Sequence, residues 1–309
     1  MSTTETSRGP VPVRFGSVDV DWPTERLGVL RESTELLDDA DALRDRFASD
    51  GYLLLRGVIP REVVLAARRH VAGLLAEAGA LAPSSDHLDL EIGDPDVDVP
   101  LMGHRPVTHH RDVLATLEAD ELFAVLGRLL GAEVTTFDHK WLRTVSTGRM
   151  TGAHMDVVYM GAGSTRLTTT WIPIGDLTPR DGTLAIVPAS HRLDGYARLR
   201  ETYGRVDVDR DNIDGWFTTE PFDVTDEFGG TWATAEFRAG DVVLFGMRTL
   251  HASTTNLTTR HRLSCDVRFQ PTDDPIDERW MGERPPGHVR HDRPATPVSE
   301  LRAGWGLDR

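Results

Sequence analysis

A histidine, an aspartate and a distant second histidine are the residues best placed for chemistry in this sequence. His154 and Asp156 stand two residues apart in GAHMD, and His251 follows much later in GDVVLFGMRTLHAS. If residues 154–160 form a strand, the side chains of His154 and Asp156 point to the same face. Two imidazoles and one carboxylate form the facial triad of non-haem Fe(II) oxygenases, which leaves three metal positions open. The ordered set therefore predicts an iron site at His154, Asp156 and His251.

A candidate anchor for a cosubstrate follows the third ligand. The open metal positions suit a bidentate 2-oxo acid and then O₂, and 2-oxoglutarate would also need a cation for its distal carboxylate. Arg262 offers a planar, permanently charged fork for that carboxylate. Ser264, two residues on and on the same strand face, adds a hydroxyl donor. We therefore expect Fe(II), 2-oxoglutarate and O₂ to act together here.

Composition narrows the class of protein. The 309 residues carry a net charge of -15, which argues against nucleic acids and anionic membranes as partners. The single cysteine, Cys265, excludes a disulfide framework and a multi-cysteine metal site, and it fits a reducing cytoplasm. No run of about eighteen apolar residues is present, so no membrane-spanning segment is expected. These features describe a cytoplasmic enzyme or binding protein.

The elements that position the candidate ligands change in character along the chain. Apolar periodicity predicts helices over residues 34–48, 60–80 and 113–130, with a strand at 52–55 between the first two. Residues 82–112 carry Pro, Gly and Asp without a period and predict a long loop. Short β-rich segments follow at 134–145, 154–160, 166–174, 182–187, 241–245, 249–253 and 261–269. Strands in this number without intervening helices predict a mainly β fold with flanking helices, an antiparallel sandwich or jelly roll.

The same reading divides the chain into three parts. Residues 1–33 are expected to form an N-terminal arm over the surface, 34–275 the jelly-roll domain, and 276–309 a C-terminal tail. An acidic, aromatic insert at 192–238 is expected to cover the mouth of the barrel as a lid. Trp216 and Phe217 lie in this insert, either as part of the lid or as the insert's own small core.

At family level, the chain resembles the phytanoyl-CoA dioxygenase family of Fe(II)/2-oxoglutarate-dependent oxygenases from about residue 45 to 270. The stretches that carry the resemblance are FASDGYLLLRGVIPREVV, GAHMD, TTTWIPIGDLTPRDGTLAIVPASH, GDVVLFGMRTLHASTTN and RHRLSCDVRF. The resemblance implies a double-stranded β-helix (cupin-like jelly roll) with helices packed on one sheet. It also implies that His154, Asp156 and His251 bind iron and that Arg262 holds the distal carboxylate of 2-oxoglutarate.

Two further residues match family positions that commonly contact the cosubstrate. Ser253 lies two residues past the third ligand, and Trp171 lies in the T-x-W strand. The chain departs from the usual Asn-Gly turn with Asp181-Gly182, and both Asn and Asp tolerate the backbone that this turn needs. Met155 replaces a more common polar residue between the first two ligands. Neither departure affects the iron ligands.

Several charged residues near the predicted site leave two interpretations open. Lys140, the only lysine, either faces inward to pair with a cosubstrate or substrate carboxylate or lies exposed on its strand. The loop cluster His104, Arg105, His109, His110 and Arg111 either meets an anionic substrate or is solvated. This cluster favours a small polar, anionic metabolite or natural-product intermediate as the substrate.

The residues predict a dioxygenase that hydroxylates an unactivated C–H bond and releases succinate and CO₂. Desaturation, epimerisation and cyclisation stay open because they would use the same iron site with a differently posed substrate. A halogenase is disfavoured because Asp156 occupies the position that halide would need. A β-sandwich that binds metal without turnover is the alternative from another class, and substrate-dependent succinate formation separates it from the enzyme.

Overall fold

Two β-sheets packed face to face form the centre of the protein, and a β-hairpin forms a third sheet. The computed structural model describes residues 10–83, 86–97 and 99–307. The strands are β1 Val11–Phe15, β2 Val18–Trp22, β3 Leu27–Val29, β4 Tyr52–Leu55, β5 Val134–Thr136, β6 Trp141–Val145, β7 Thr168–Pro173, β8 Leu184–Ile186, β9 Trp232–Thr234, β10 Val242–Gly246, β11 His251–Ser253 and β12 Arg262–Pro271. This arrangement confirms the predicted mainly β, jelly-roll fold.

The α-helices flank the sheets and connect their strands. They are α1 Ala40–Asp50, α2 Arg61–Glu77, α3 Arg105–Thr108, α4 Arg111–Leu117, α5 Asp120–Leu130, α6 Val157–Met160, α7 Ala197–Glu201, α8 Val208–Asp211, α9 Pro221–Phe228 and α10 Val298–Leu301. No helix among the described residues is both long enough and apolar enough to span a lipid bilayer.

The larger sheet has the strand order β4-β10-β7-β12-β5, and β6 also pairs with β12. Its strands are apolar on both faces because each face meets a different core. In β4, Leu53 and Leu55 pack among the helices α1, α2, α4 and α5, whereas Tyr52 and Leu54 point into the space between the sheets. The same alternation in β12 turns Cys265 toward the helices and Arg262 inward. Inward side chains of β12 therefore reach the centre of the sandwich.

The smaller sheet has the order β11-β8-β9-β3. Its outer strand β3 comes from the predicted N-terminal arm, and β3 pairs in parallel with β9. β9 lies in the predicted lid insert, with Trp232 completely buried. Parts of the arm and of the insert are therefore strands of the barrel, and the sequence missed them because three-residue strands carry too little periodicity. Residues 1–9 of the expected arm lie outside the described residues.

The expected C-terminal tail also packs onto the core. Trp280 and Val298 are buried, and Arg279 bonds to both Asp277 and Asp209. Asp209 lies in α8 of the insert and accepts a further hydrogen bond from the backbone N–H of Val289 at 3.0 Å. The tail and the insert are thus joined around one buried carboxylate.

Lys140 is paired within the protein and does not face the predicted cosubstrate site, so neither interpretation of this residue holds. The side chain is buried completely, and its Nζ lies 2.8 Å from Glu118, 2.6 Å from the carbonyl oxygen of Phe137 and 3.2 Å from Thr136. All three donors are therefore occupied, and the exposed alternative is wrong as well. Burial lowers the pKa of Lys140, and the Glu118 carboxylate opposes that shift.

Glu118 reaches Lys140 because the expected helix over residues 113–130 is broken there. α4 ends at Leu117, Glu118 leaves the helical conformation, and α5 begins at Asp120. Asp120 and Glu121 favour this new N-terminus because negative charges stabilise the start of a helix. The break thus ties the helical layer to the strand that precedes the metal ligands.

Glu118→Ala should lower the free energy of unfolding by about 2 kcal/mol, less than for a fully buried pair because the Glu118 side chain is 35% exposed. The loss follows from leaving the Lys140 ammonium buried without its carboxylate. Urea denaturation measures the change, and the double variant Glu118→Ala/Lys140→Met should recover most of it. Unfolding of Glu118→Ala at the wild-type urea concentration would contradict this role of the pair.

Candidate metal centre

The backbones of the two candidate histidine ligands are hydrogen-bonded to each other. The N–H of His154 donates to the carbonyl oxygen of His251 at 2.9 Å, and the reverse bond measures 3.0 Å. The imidazole centroids are 4.1 Å apart. Each Nδ1 lies against a carbonyl oxygen, that of Gly152 for His154 at 2.8 Å and that of Thr249 for His251 at 3.0 Å. Because a carbonyl only accepts, Nδ1 carries the proton and each Nε2 is left with its lone pair.

Asp156 completes the group. Its Oδ1 lies 3.7 Å from the Nε2 atoms of both His154 and His251, and the three ligand atoms lie within 4.8 Å of one another. The expectation that residues 154–160 form one strand is wrong, because only His154 pairs with β11 and α6 starts directly after Asp156. The turn into α6 still brings the carboxylate to the imidazoles. The three side chains therefore converge as expected, although the backbone turns into a helix instead of continuing as a strand.

The protonation states of these residues suit a metal ion. Burial lowers the pKa of His154 to about 3, so its imidazole is neutral near neutral pH. Burial alone would raise the pKa of Asp156, but the charge of Arg268 and the hydrogen bond from Thr169 oppose it, and that pKa lies well below its usual range. Two neutral imidazoles and one carboxylate are the donor set that Fe(II) accepts while keeping other positions open. The residues present therefore fit iron.

Arg262 and Ser264 lie on the inner face of β12, as expected from their spacing. Both are buried, and Nη1 of Arg262 donates to the carbonyl oxygen of Gly182 at 3.0 Å. Burial lowers the pKa of Arg262 to about 10, so the guanidinium is still charged at neutral pH. Its Nε is buried and has no hydrogen-bond partner among the described residues. A buried cation with a free donor fits a carboxylate.

The two residues matched through the family resemblance are also buried. Oγ of Ser253 accepts a hydrogen bond of 2.8 Å from the N–H of Thr151, which secures the segment that carries His154. Trp171 lies in the core between the sheets, with its ring centroid 4.8 Å from that of Phe237. The structure thus gives Ser253 a contact beside the ligands and Trp171 a packing contact.

The end of the expected long loop is helical, because Arg105 begins α3 and Arg111 begins α4, and the structure divides the charged cluster predicted there. Arg105 and His109 line a cavity of about 600 Å³, whereas the ring of His110 stacks on that of His70 at 3.6 Å and Arg111 is exposed. The triad residues are not among the residues that line the cavity. Those residues are Met102, Gly103, Arg105, Pro106, His109, His139, Glu283, Arg284 and Pro285.

Two residues that contact Oδ2 of Asp156 were not predicted from the sequence. Nη2 of Arg268 lies 3.1 Å from Oδ2 of Asp156, and the Thr169 hydroxyl donates to the same oxygen. Arg268 shares the inner face of β12 with Arg262 and Ser264, so extending the two-residue period from Arg262 would have identified it. No comparable signal marked Thr169, because its role depends on where β7 packs.

The segment that carries His154 is flanked by the insert. Ala153 pairs with Thr218, and the exposed ring of Trp216 lies over Gly152. A Cβ on Gly152 would lie 2.8 Å from the Trp216 ring and 3.0 Å from the carbonyl oxygen of Thr218. Glycine is needed here because the insert approaches the backbone next to a ligand.

Gly152→Ala should therefore destabilise the protein by about 1–3 kcal/mol through overpacking. It should also weaken Co(II) binding, because the Gly152 carbonyl that orients His154 would be displaced. Thermal unfolding and calorimetric titration measure the two effects. Adding Trp216→Ala should recover part of the stability but not all, since the Thr218 carbonyl stays in place. Wild-type stability and Co(II) affinity in Gly152→Ala would contradict this packing argument.

Comparisons with known proteins agree with this geometry. The phytanoyl-CoA dioxygenase (PhyH) family matches the chain over residues 47–264, well over half of it. The 1-deoxypentalenic acid 11-beta-hydroxylase of Streptomyces arenae is 28% identical over 263 residues, which cover 80% of this chain and 87% of the relative.

Solved structures share the fold at lower identity. EctD from S. alaskensis with bound Fe has a TM-score of 0.56 at 19% identity, covering 94% of each chain. The epimerase SnoN, solved with Fe³⁺, alpha ketoglutarate and nogalamycin RO, has a TM-score of 0.55 at 18% identity and covers 84% of this chain and 98% of its own. With the family match over most of the barrel, the chain belongs to the phytanoyl-CoA dioxygenase (PhyH) family and is an Fe(II)- and 2-oxoglutarate-dependent oxygenase.

Proposed function

We propose that this oxygenase hydroxylates an unactivated C–H bond of a small carboxylic acid, with His154, Asp156 and His251 as the iron ligands. The observation that carries the proposal is the convergence of three buried ligand atoms within 4.8 Å of one another. Hydroxylation is chosen over desaturation, epimerisation and cyclisation because the curated relative from Streptomyces arenae is named as a hydroxylase. A metal-binding protein without turnover has no need of a buried arginine such as Arg262 on the inner face of β12, the strand whose Arg268 contacts Asp156.

Each residue has a defined task in this proposal. The neutral Nε2 atoms and Oδ1 of Asp156 hold the metal, and Arg262 binds the distal carboxylate of 2-oxoglutarate through the N–H groups that Gly182 leaves free. Ser264, on the same face of β12 as Arg262, is proposed to contact the same molecule, as are Ser253 and Trp171. Bound Fe(II) with 2-oxoglutarate and O₂ supplies the oxidising power to remove hydrogen from carbon. Overall, O₂ gives one oxygen atom to succinate and one to the substrate hydroxyl, and CO₂ leaves.

An acidic substrate is favoured by the cavity beside the long loop. Arg105, Arg284, His109, His139 and Glu283 line it, and the carboxylate of Asp138 lies 3.8 Å from Arg105. Burial lowers the pKa of His139 to about 4, so its ring adds no charge near neutral pH. Two guanidinium groups suit a carboxylate. The curated relative is named for an acid as well.

A row of rings links this cavity to the iron ligands. Successive centroids lie 4.5–5.9 Å apart along His139, Trp141, Trp280, His288, Tyr159 and His154. Trp141 and Trp280 are 4% and 1% exposed, so these rings are packed core that fixes the position of the cavity relative to His154. We propose that the substrate's carboxylate binds in the cavity and that its reactive carbon points toward the triad.

The compartment that suits this chemistry is the cytoplasm. Cys265 is the only cysteine, it is buried, and burial raises the pKa of its thiol, so the chain depends on no disulfide. A net charge of -15 opposes nucleic acids and anionic membranes as partners.

Anaerobic titration with Fe(II) and 2-oxoglutarate should give a weak visible charge-transfer band in the wild type and none in His154→Ala. Arg262→Leu should keep metal binding but raise the Kd of 2-oxoglutarate roughly 30-fold, which corresponds to losing about 2 kcal/mol from a buried charge pair. His191→Ala is the matched control, because His191 bonds to the carbonyl of Ala48 outside the site. An unchanged band in His154→Ala would defeat the proposed iron ligands.

The substrate class is tested with a panel of carboxylic acids and their methyl esters, scored by succinate formation. The acids should stimulate succinate formation more than their esters in the wild type. This preference should disappear in Arg105→Gln/Arg284→Gln, which removes both guanidinium groups from the cavity, and persist in the exposed control Arg111→Gln. Equal stimulation by acids and esters in the wild type would show that the cavity does not select a carboxylate.

A further inference from the structure

Arg268 pairs with the oxygen of Asp156 that faces away from the two histidines. Oδ1 of Asp156 lies 3.7 Å from both Nε2 atoms, whereas Oδ2 lies 3.1 Å from Nη2 of Arg268. The hydroxyl of Thr169 donates to Oδ2 as well. The two carboxylate oxygens therefore have different environments before any metal is considered, with one directed at the imidazoles and the other occupied.

The guanidinium is itself held in place. Its Cζ lies 4.8 Å from the ring centroid of Trp141, so Arg268 lies between an indole ring and a carboxylate. The pairing of β6 with β12 brings the two elements together, with Trp141 opposite Asp266 two residues from Arg268. Because both strands belong to the larger sheet, the sheet fixes the position of the guanidinium.

The ion pair between Arg268 and Asp156 is not explained by a contribution to folding stability. The side chains of Arg268 and Asp156 are 4% and 3% exposed, and removing two charges from water costs about as much as their attraction returns. Within the part of the chain that the structure describes, Nε and Nη1 of Arg268 have no hydrogen-bond partner. A buried arginine that leaves most of its own donors unused points to a role in positioning the one carboxylate that it contacts.

We propose that Arg268 is a positioning residue that holds Oδ2 of Asp156 and so presents only Oδ1 to the metal. This inference rests on the proposed function, since it takes Asp156 as an iron ligand. A carboxylate free to rotate could offer both oxygens to a metal and occupy a position that 2-oxoglutarate or O₂ needs. Thr169 supports the same orientation with one neutral hydrogen bond, and the Trp141 ring packs against the guanidinium.

The test uses the full-length protein without metal, titrated with Co(II). Arg268→Met should weaken Co(II) binding about 10- to 100-fold, the usual effect of removing an outer partner of a metal ligand. The visible absorption bands of bound Co(II), which report the number and arrangement of ligands, should also change. Arg268→Lys, which restores the charge without the planar fork, should fall between the wild type and Arg268→Met. Thr169→Val should give a smaller change in the same direction.

Arg56→Met is the matched control. Arg56 lies 2.7 Å from the buried carboxylate of Asp241, and within the described residues it forms no ion pair with Asp156. Its loss should leave the Co(II) bands unchanged. Far-UV circular dichroism and thermal unfolding identify any variant that fails to fold, and if Arg268→Met fails, Arg268→Lys and Thr169→Val decide the question.

A folded Arg268→Met protein with wild-type Co(II) bands, or with an affinity within twofold of wild type, would overturn the positioning role. If Arg268→Met does not fold, wild-type affinity and bands in both Arg268→Lys and Thr169→Val would overturn it equally. His154→Ala separates this result from a failure of the proposed function. Loss of Co(II) binding in His154→Ala beside unchanged binding in Arg268→Met would reject Arg268 alone, whereas retained binding in His154→Ala would reject the iron site.

Discussion

The arrangement of the site depends on two backbone hydrogen bonds between His154 and His251. These residues are far apart in the sequence, yet each donates its N–H to the carbonyl oxygen of the other. The pairing fixes both Cα positions, and the carbonyls of Gly152 and Thr249 then fix both imidazole planes. A metal site built this way needs no flexible loop to close, since the sheet that forms the fold also aligns two of the three ligands.

The rest of the structure supports that pairing from both sides. Ser253 bonds to Thr151 on one edge of the ligand segment, and Thr218 of the insert pairs with Ala153 on the other. The insert is held in turn by the tail around Asp209, which accepts from Arg279 and Val289. The segments predicted as an insert and a tail therefore pack beside the candidate ligands. Ring contacts run from Trp280 through His288 and Tyr159 to His154.

The sandwich interior carries unusual charge for a β-sheet core. Arg262, Arg268 and Asp156 are all at least 96% buried, and each would be costly alone. Arg268 and Asp156 offset one another, whereas the partner of Arg262 within the described ranges is the carbonyl of Gly182. An interior with positive charge in excess suits small dianions such as 2-oxoglutarate, and it gives the acidic chain a local environment opposite to its net charge.

The sequence by itself determined the residue types of the metal triad and of the predicted cosubstrate anchor, and the alternation of β12 that turns Arg262 and Ser264 inward. These features depend on local periodicity and on the chemistry of single side chains. Only the tertiary structure decided the partners of Lys140, the break at Glu118, the strands β3 and β9, and the contact of Arg268 with Asp156. Each of these joins segments distant in the chain, and no local pattern specifies which of many buried charges will meet. The division of the loop cluster between a cavity and the surface has the same cause, because it depends on the packing of His110 against His70.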